Sequence, residues 1–249
     1  MYHFFVTPDQ VGEDFCRITG QDVNHIRNVL RMKAGEQIAV GDGISKNYIC
    51  EIASLSAEEV RARILSVEEA SSELPARLYL FQGLPKGDKM ELIIQKAVEL
   101  GVYRIIPVAA RRCVMKLDKK KEEAKIKRWN AIAESAAKQS GRMLVPEVSG
   151  VMPIKEAYRY AAGLDYNLIP YELAEGMHET RRILAGIRPG MQVGIFIGPE
   201  GGFDPEEVEQ AASAGIHPIT LGRRILRTET AGMTILSILM FQLEGQGGD

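Results

Sequence analysis

Apolar and polar positions in the first seventy residues alternate mainly with the two-residue period of strands. Tyr2–Val6 is a short β-rich run. Between Gln37 and Ile52, two apolar runs flank Gly41-Asp42-Gly43, which predicts a hairpin. From Glu59 to Val67, Val60, Ala62 and Ile64 alternate with Arg61 and Arg63, the signature of a half-buried strand. One helix interrupts the strands. Val23, Ile26, Val29 and Leu30 fall at helical spacing, which turns His25, Arg27 and Arg31 toward its exposed side. Glu68–Pro75 is polar, lacks periodicity and ends in proline, so it predicts a linker between a domain at 1–70 and a second at 74–249.

Beyond the linker, apolar strand-like runs alternate with amphipathic helices. Arg77–Gln82 precedes a helix over Asp88–Leu100 closed by Gly101; Arg104–Ala109 precedes a long helix over Lys119–Gln139. Tyr166–Glu172, a helix near Thr180–Ile187, Met191–Glu200, a helix over Asp204–Ala214, His217–Gly222 and a final apolar helix follow. This alternation predicts an α/β fold with a parallel sheet covered by helices on both faces. Ligands of such sheets bind beyond the carboxyl ends of the strands, which directs attention to the loops after Pro170, Gly198 and Leu221.

The most apolar stretch, Ala231 to Leu243, falls well short of the roughly 20 residues of a membrane span. The opening MYHFFVTPDQ lacks a basic start and a long apolar run, so it does not read as a signal peptide. Cys16, Cys50 and Cys113 are widely spaced and form no C-x-x-C, which fits a reducing, cytoplasmic location. With 45% hydrophobic and 26% charged residues, the 249-residue chain has an ordinary globular composition.

The net charge of −2 hides an asymmetry. Val102–Arg142 holds twelve Lys/Arg against four Asp/Glu, while the rest of the chain is acidic. A local excess of this size is the footprint of a polyanion-binding face. For the Lys119–Lys121 run alone, a solvated helix is the better reading. Arg111, Arg112, Gln139 and Arg142 stand at predicted element ends, where side chains converge on phosphates or bases.

Two loops carry the candidate chemistry. In GPEGGF (Gly198–Phe203) the glycines let the backbone approach a flat ligand, and Asp204-Pro205-Glu206-Glu207 opens the next helix with a cap, a first-turn proline and a box-completing acid. Glu200 would repel a phosphate, and the loop matches neither common nucleotide-binding pattern, so a neutral or cationic ligand fits better. In LGRRILRTETAGM (Leu221–Met233), Ile225 and Leu226 could clamp a ring or belong to the core, beside Arg223, Arg224 and Arg227. His3, His25, His178 and His217 are scattered, no H-E-x-x-H or G-x-S-x-G occurs, and no metal site is expected.

GPEGGF followed by LGRRILRTETA, preceded by QKAVELGV and ESAAKQSGR, closely resembles the RsmE family over nearly the whole chain. YHFFV and HIRNVLR resemble that family's N-terminal, PUA-like RNA-binding β-barrel. The family comprises SPOUT-class methyltransferases that use S-adenosyl-L-methionine to methylate N3 of a uridine in 16S ribosomal RNA. One departure is Lys138, where the family carries an acid before Gln139. The resemblance implies a C-terminal trefoil knot, which general topology rules disfavour, and a homodimer acting on the small ribosomal subunit.

It further implies that the cofactor is held by Pro170, Glu172, Ile197, Gly198, Pro199, Gly201, Gly202, Leu221, Gly222, Ile225, Leu226 and Arg227. Uracil N3 bears a proton, so a proton acceptor and a cation for the developing anion are expected. Glu200 and Glu229 are the candidate acceptors, and Arg142 and Arg227 the candidate stabilisers. His25, Arg27, Arg31, Arg111, Arg112, Gln139 and Arg142 are the expected RNA contacts. A related enzyme acting on transfer RNA, and a non-catalytic ribosome-assembly factor, are the alternative readings. The first lacks only a whole-chain match, and the second would not need the glycine-rich strand ends.

Overall fold

The computed structural model describes residues 1–68, 72–172, 174 and 176–245; the centre of the expected linker, residues 69–71, lies outside the described residues. Two compact units form. One is Met1–Glu73 with Ala137–Val145, and the other is Leu74–Ala136 with Pro146–Asp249.

The first unit is built from strands β1 (Tyr2–Phe5), β2 (Phe15–Thr19), β3 (Gln37–Gly41), β4 (Asn47–Leu55) and β5 (Glu59–Glu68). They form one sheet in the order β1-β3-β4-β5-β2, with β1 and β3 parallel and the other ladders antiparallel. Among the described residues no ladder joins β1 to β2, so the sheet is a half-barrel rather than a closed one. The expected hairpin is β3–β4. Asp42 Oδ1 holds its turn by accepting the N–H groups of Ile44, Ser45 and Lys46 at 2.8–3.0 Å.

Helix α1 (Gln21–Asn24) runs into a π turn over His25–Val29. Val23 and Ile26 are buried as the spacing predicts, but Val29 is 65% exposed. The Leu30 N–H bonds to the His25 carbonyl, five residues back, and the wider turn rotates Val29 off the apolar face. His25, Arg27 and Arg31 are exposed. Arg31 closes the segment at φ 54°, a left-handed conformation that a residue with a Cβ adopts at a cost.

The second unit contains β6 (Arg77–Gly83), α2 (Lys89–Glu99), β7 (Val102–Ala109), α3 (Lys119–Ser140), β8 (Glu147–Val148), β9 (Met152–Pro153), α4 (Ile154–Ala161), β10 (Tyr166–Pro170), α5 (Met177–Leu184), β11 (Gln192–Ile197), α6 (Pro205–Ser213), β12 (His217–Ile219) and α7 (Thr228–Glu244). The last turn of α3 groups with the first unit. The sheet order is β12-β10-β11-β6-β7-β8, with β9 also on β7, and every ladder is parallel. This is the sheet that alternating runs and helices predict. Helix α4 is not among the predicted elements, although Ile154, Ala157, Tyr158 and Ala161 carry its i, i+3, i+4, i+7 signal.

Strands β6 and β11 are buried on both faces. Phe81 and Phe196 are register partners whose rings stack at 4.3 Å, in a core that includes Tyr158 and Ala157 of α4 and Val208 and Ala211 of α6. Successive side chains point to opposite faces, so Leu80 and Ile195 lie on the other one. There α2 and α7 pack on each other and against β6, β7 and β11. Ile238 and Phe241 of α7 remain exposed, Phe241 at 81%. Among the described residues no helix is long and apolar enough to cross a membrane.

Candidate cofactor cleft

The carboxyl ends of β10, β11 and β12 open into a cleft of about 330 Å³. Its walls are the three loops singled out in sequence. Pro170 ends β10 and Glu172 follows it; Ile197 ends β11 and Gly198, Pro199 and Gly202 follow it; Leu221, Gly222, Ile225, Leu226 and Arg227 follow β12. Gly201 is the one expected cofactor residue not on the wall; its carbonyl accepts from Arg112 Nη1 at 3.0 Å. Gly222 has φ 111°, a conformation reserved for glycine, and turns the chain at the rim. Ile225 is 82% exposed, so of the two roles open to it the core role is excluded.

Local sequence explains why the β11 loop holds its shape. Asp204 caps α6, Pro205 occupies its first turn, and Glu207 completes the capping box by accepting the Asp204 N–H at 3.0 Å. Glu207 is buried, and its other oxygen accepts the Arg111 N–H at 2.8 Å. The Arg111 guanidinium bridges Asp204 and Glu206 at 2.9 and 2.8 Å, and Arg112 lies 3.5 Å from Asp204. Arg111 and Arg112, expected to contact RNA, thus have their charged groups engaged in fixing this loop.

A polar chain ties the strand ends together beneath the cleft. The buried Gln82 donates to the Thr228 hydroxyl at 2.9 Å, and Thr228 donates to the Gly198 carbonyl at 2.6 Å. Gln82 Oε1 is buried without a hydrogen-bond partner. Gly83 lies so close to the β11 loop that a Cβ there would be 2.7 Å from Pro199.

Two carboxylates meet one ammonium at the cleft wall. Glu200 accepts the Lys86 N–H at 3.0 and 3.3 Å and pairs with Lys89 Nζ at 3.1 Å. Burial pushes the Glu200 carboxyl up, but its own N–H, that of Lys86 and the Lys89 charge outweigh burial and hold it below the usual range. Glu229 Oε2 lies 3.6 Å from the same Nζ and is buried without a hydrogen bond. Glu200 and Lys89 are on the wall, whereas Glu229 is not. Sequence reasoning missed Lys89, Gln82 and Thr228. The dense Lys/Asp/Gly loop before α2 was the available signal for Lys89; nothing in sequence marks Gln82.

The remaining predicted residues fall in the first unit. Arg142 is only 3% exposed, and its Nε donates to both oxygens of Glu73 at 2.9 Å. Lys138 pairs with Asp22 at 2.9 Å, so the departure from the family pattern has an acidic partner of its own. Gln139 is exposed. Among the described residues no group of His, Cys, Asp and Glu is arranged to hold a metal.

The profile of the RNA methyltransferase domain family matches residues 72–240, and that of the RNA methyltransferase PUA domain matches 18–65. Ribosomal RNA small subunit methyltransferase E of Bacillus subtilis is 38% identical over 100% of this chain and 98% of its own length. The chain belongs to the ribosomal RNA small subunit methyltransferase E family. Its relative in Mesomycoplasma hyopneumoniae is 34% identical over 95% of this chain and 98% of that one. The crystal structure of the Neisseria gonorrhoeae family member bound to S-adenosyl methionine superposes with a TM-score of 0.84 at 30% identity, covering 97% of this chain and 98% of that one. The family membership agrees with the resemblance carried by the strand-end loops.

Proposed function

We propose that this chain transfers a methyl group from S-adenosyl-L-methionine to N3 of a uridine in 16S ribosomal RNA. The observation that carries the reading is the cleft at the parallel strand ends. Its glycine-lined walls, volume and lack of a phosphate cradle suit a flat, cationic small molecule. The donor-bound Neisseria relative supports the same ligand. When bound, the cofactor supplies an electrophilic methyl group, and the chain supplies orientation and charge.

Pro170, Glu172, Ile197, Gly198, Pro199, Gly202, Leu221, Gly222, Ile225 and Leu226 bind the cofactor in this reading, and Gly201 acts through its neighbours. Arg227, exposed at the rim and with no carboxylate partner among the described residues, faces the uracil anion as it develops. The N3–methyl bond forms as the methyl–sulfur bond breaks, and the N3 proton passes to a carboxylate. Glu200, which lines the cleft, and Glu229, whose Oε2 makes no hydrogen bond, are the two candidate acceptors.

His25, Arg27 and Arg31 hold flanking RNA from the PUA-like domain at 1–70, with Gln139 as a further contact. The domain at 74–249, apart from the Ala137–Val145 segment that groups with the first unit, is the methyltransferase. The family resemblance implies a trefoil knot in this domain, and exposed Phe241 and Ile238 support a homodimer through α7. The cytoplasm, where ribosomes are built, is the expected location. The test is incorporation of labelled methyl into small-subunit RNA, with the modified nucleotide mapped. Transfer into N3 of one 16S uridine supports the reading; modification of transfer RNA, or none, overturns it.

A further inference from the structure

Lys89 is the one cleft-wall residue that touches both carboxylates. It occupies the first position of α2, where the helix dipole disfavours a cation. The carboxylates of Glu200 and Glu229 hold it there, at 3.1 and 3.6 Å. All three side chains are partly buried, at 32%, 29% and 17% exposure, so their charges act on one another with less screening than at the surface. Helix α7 contributes in the opposite sense, since Glu229 stands in its first turn, where the dipole favours an anion. Two negative charges and one positive charge therefore form a fixed cluster, with Lys89 and Glu200 on the wall and Glu229 beside Lys89 but off it. Arg224 and Arg227, the other cleft cations, are exposed and more strongly screened.

We propose that Lys89 is a specificity-determining residue which sets how strongly the cleft prefers a cationic methyl donor over the neutral product left after transfer. The inference rests on the donor reading above and deepens it. Donor and product differ by one methyl group and one positive charge. Two unneutralised carboxylates, Glu200 on the wall and Glu229 close beside it, would hold the cationic form strongly. It would stabilise the starting state more than a transition state in which that charge is dispersing, and turnover would fall. Lys89 removes one of the two excess charges and limits that loss. No proton or electron moves at Lys89 in this role.

The test is calorimetric titration of the full-length protein with S-adenosyl-L-methionine and, separately, with S-adenosyl-L-homocysteine. In Lys89→Met the ratio of donor to product affinity rises by about ten-fold, the size expected of one partly screened charge. Lys89→Arg keeps the wild-type ratio. Glu200→Gln, which removes a negative charge instead, lowers it, and this arm decides the matter should Lys89→Met not fold. Equal weakening of both ligands in Lys89→Met, or an unchanged ratio in Glu200→Gln, means the lysine only braces the wall and overturns the proposal. Failure of the wild-type protein to bind the donor overturns the donor reading itself, and the role of Lys89 with it.

Discussion

The Thr228 hydroxyl donates to the Gly198 carbonyl at 2.6 Å while accepting from Gln82. One side chain at the start of α7 thereby joins the end of β6 to the loop after β11. Thr228→Val keeps the shape and removes both bonds, leaving the Gln82 amide and the Gly198 carbonyl short of a partner. A loss of about 1–3 kcal/mol in urea unfolding is expected, together with weaker donor binding by calorimetry. Full donor affinity in this variant would show that the tie does not shape the cleft.

Gly83→Ala tests the close approach of the strand end to the loop. Its Cβ would meet Pro199 at 2.7 Å, and both partners there are backbone or ring atoms with little freedom to yield. The variant should unfold about 1–3 kcal/mol more easily and bind the donor less tightly.

Arg142 separates a structural role from an RNA contact. Its guanidinium is buried against Glu73, and removing one partner of a buried pair costs about 3–5 kcal/mol. Arg142→Ala should therefore lower thermal stability. A variant that keeps its stability yet loses RNA affinity would restore Arg142 as a phosphate or base contact.

Glu200 predicts a pH dependence. Its carboxyl is held below its ordinary value of 4.5 in the folded protein, so the stability it contributes is present above that value and lost as pH falls through the lower, folded value. The stability difference between wild type and Glu200→Gln should be constant near neutrality and shrink below pH 4.5. A difference that grows on acidification would contradict the depressed carboxyl.

RNA binding through exposed arginines should weaken steeply with salt. Arg27→Ala and Arg31→Ala should each reduce the slope of log affinity against log salt by about 1. Arg111→Ala and Arg112→Ala should instead disturb the loop after β11, because Asp204, Glu206 and the Gly201 carbonyl hold those guanidiniums. Filter binding across a salt series distinguishes the two pairs.

The sequence by itself determined the class of fold and the walls of the cleft. A period of two, a period of 3.6 and the position of glycines are local properties, and in a parallel sheet the loops at strand carboxyl ends converge whatever their separation along the chain. Three loops spread from Pro170 to Arg227 could therefore be named in advance. The same local reasoning placed the cap of α6 at Asp204 and its box at Glu207. Only the tertiary structure decided which charges are spoken for. Whether Arg111 and Arg112 face a nucleic acid or an acidic helix start, whether Arg142 is surface or buried, and whether Lys89 stands between Glu200 and Glu229 depend on partners 69 to 140 residues away in the chain. Electrostatic pairing is set by distance in space and by burial, and neither is written in the spacing of residues along a strand or helix.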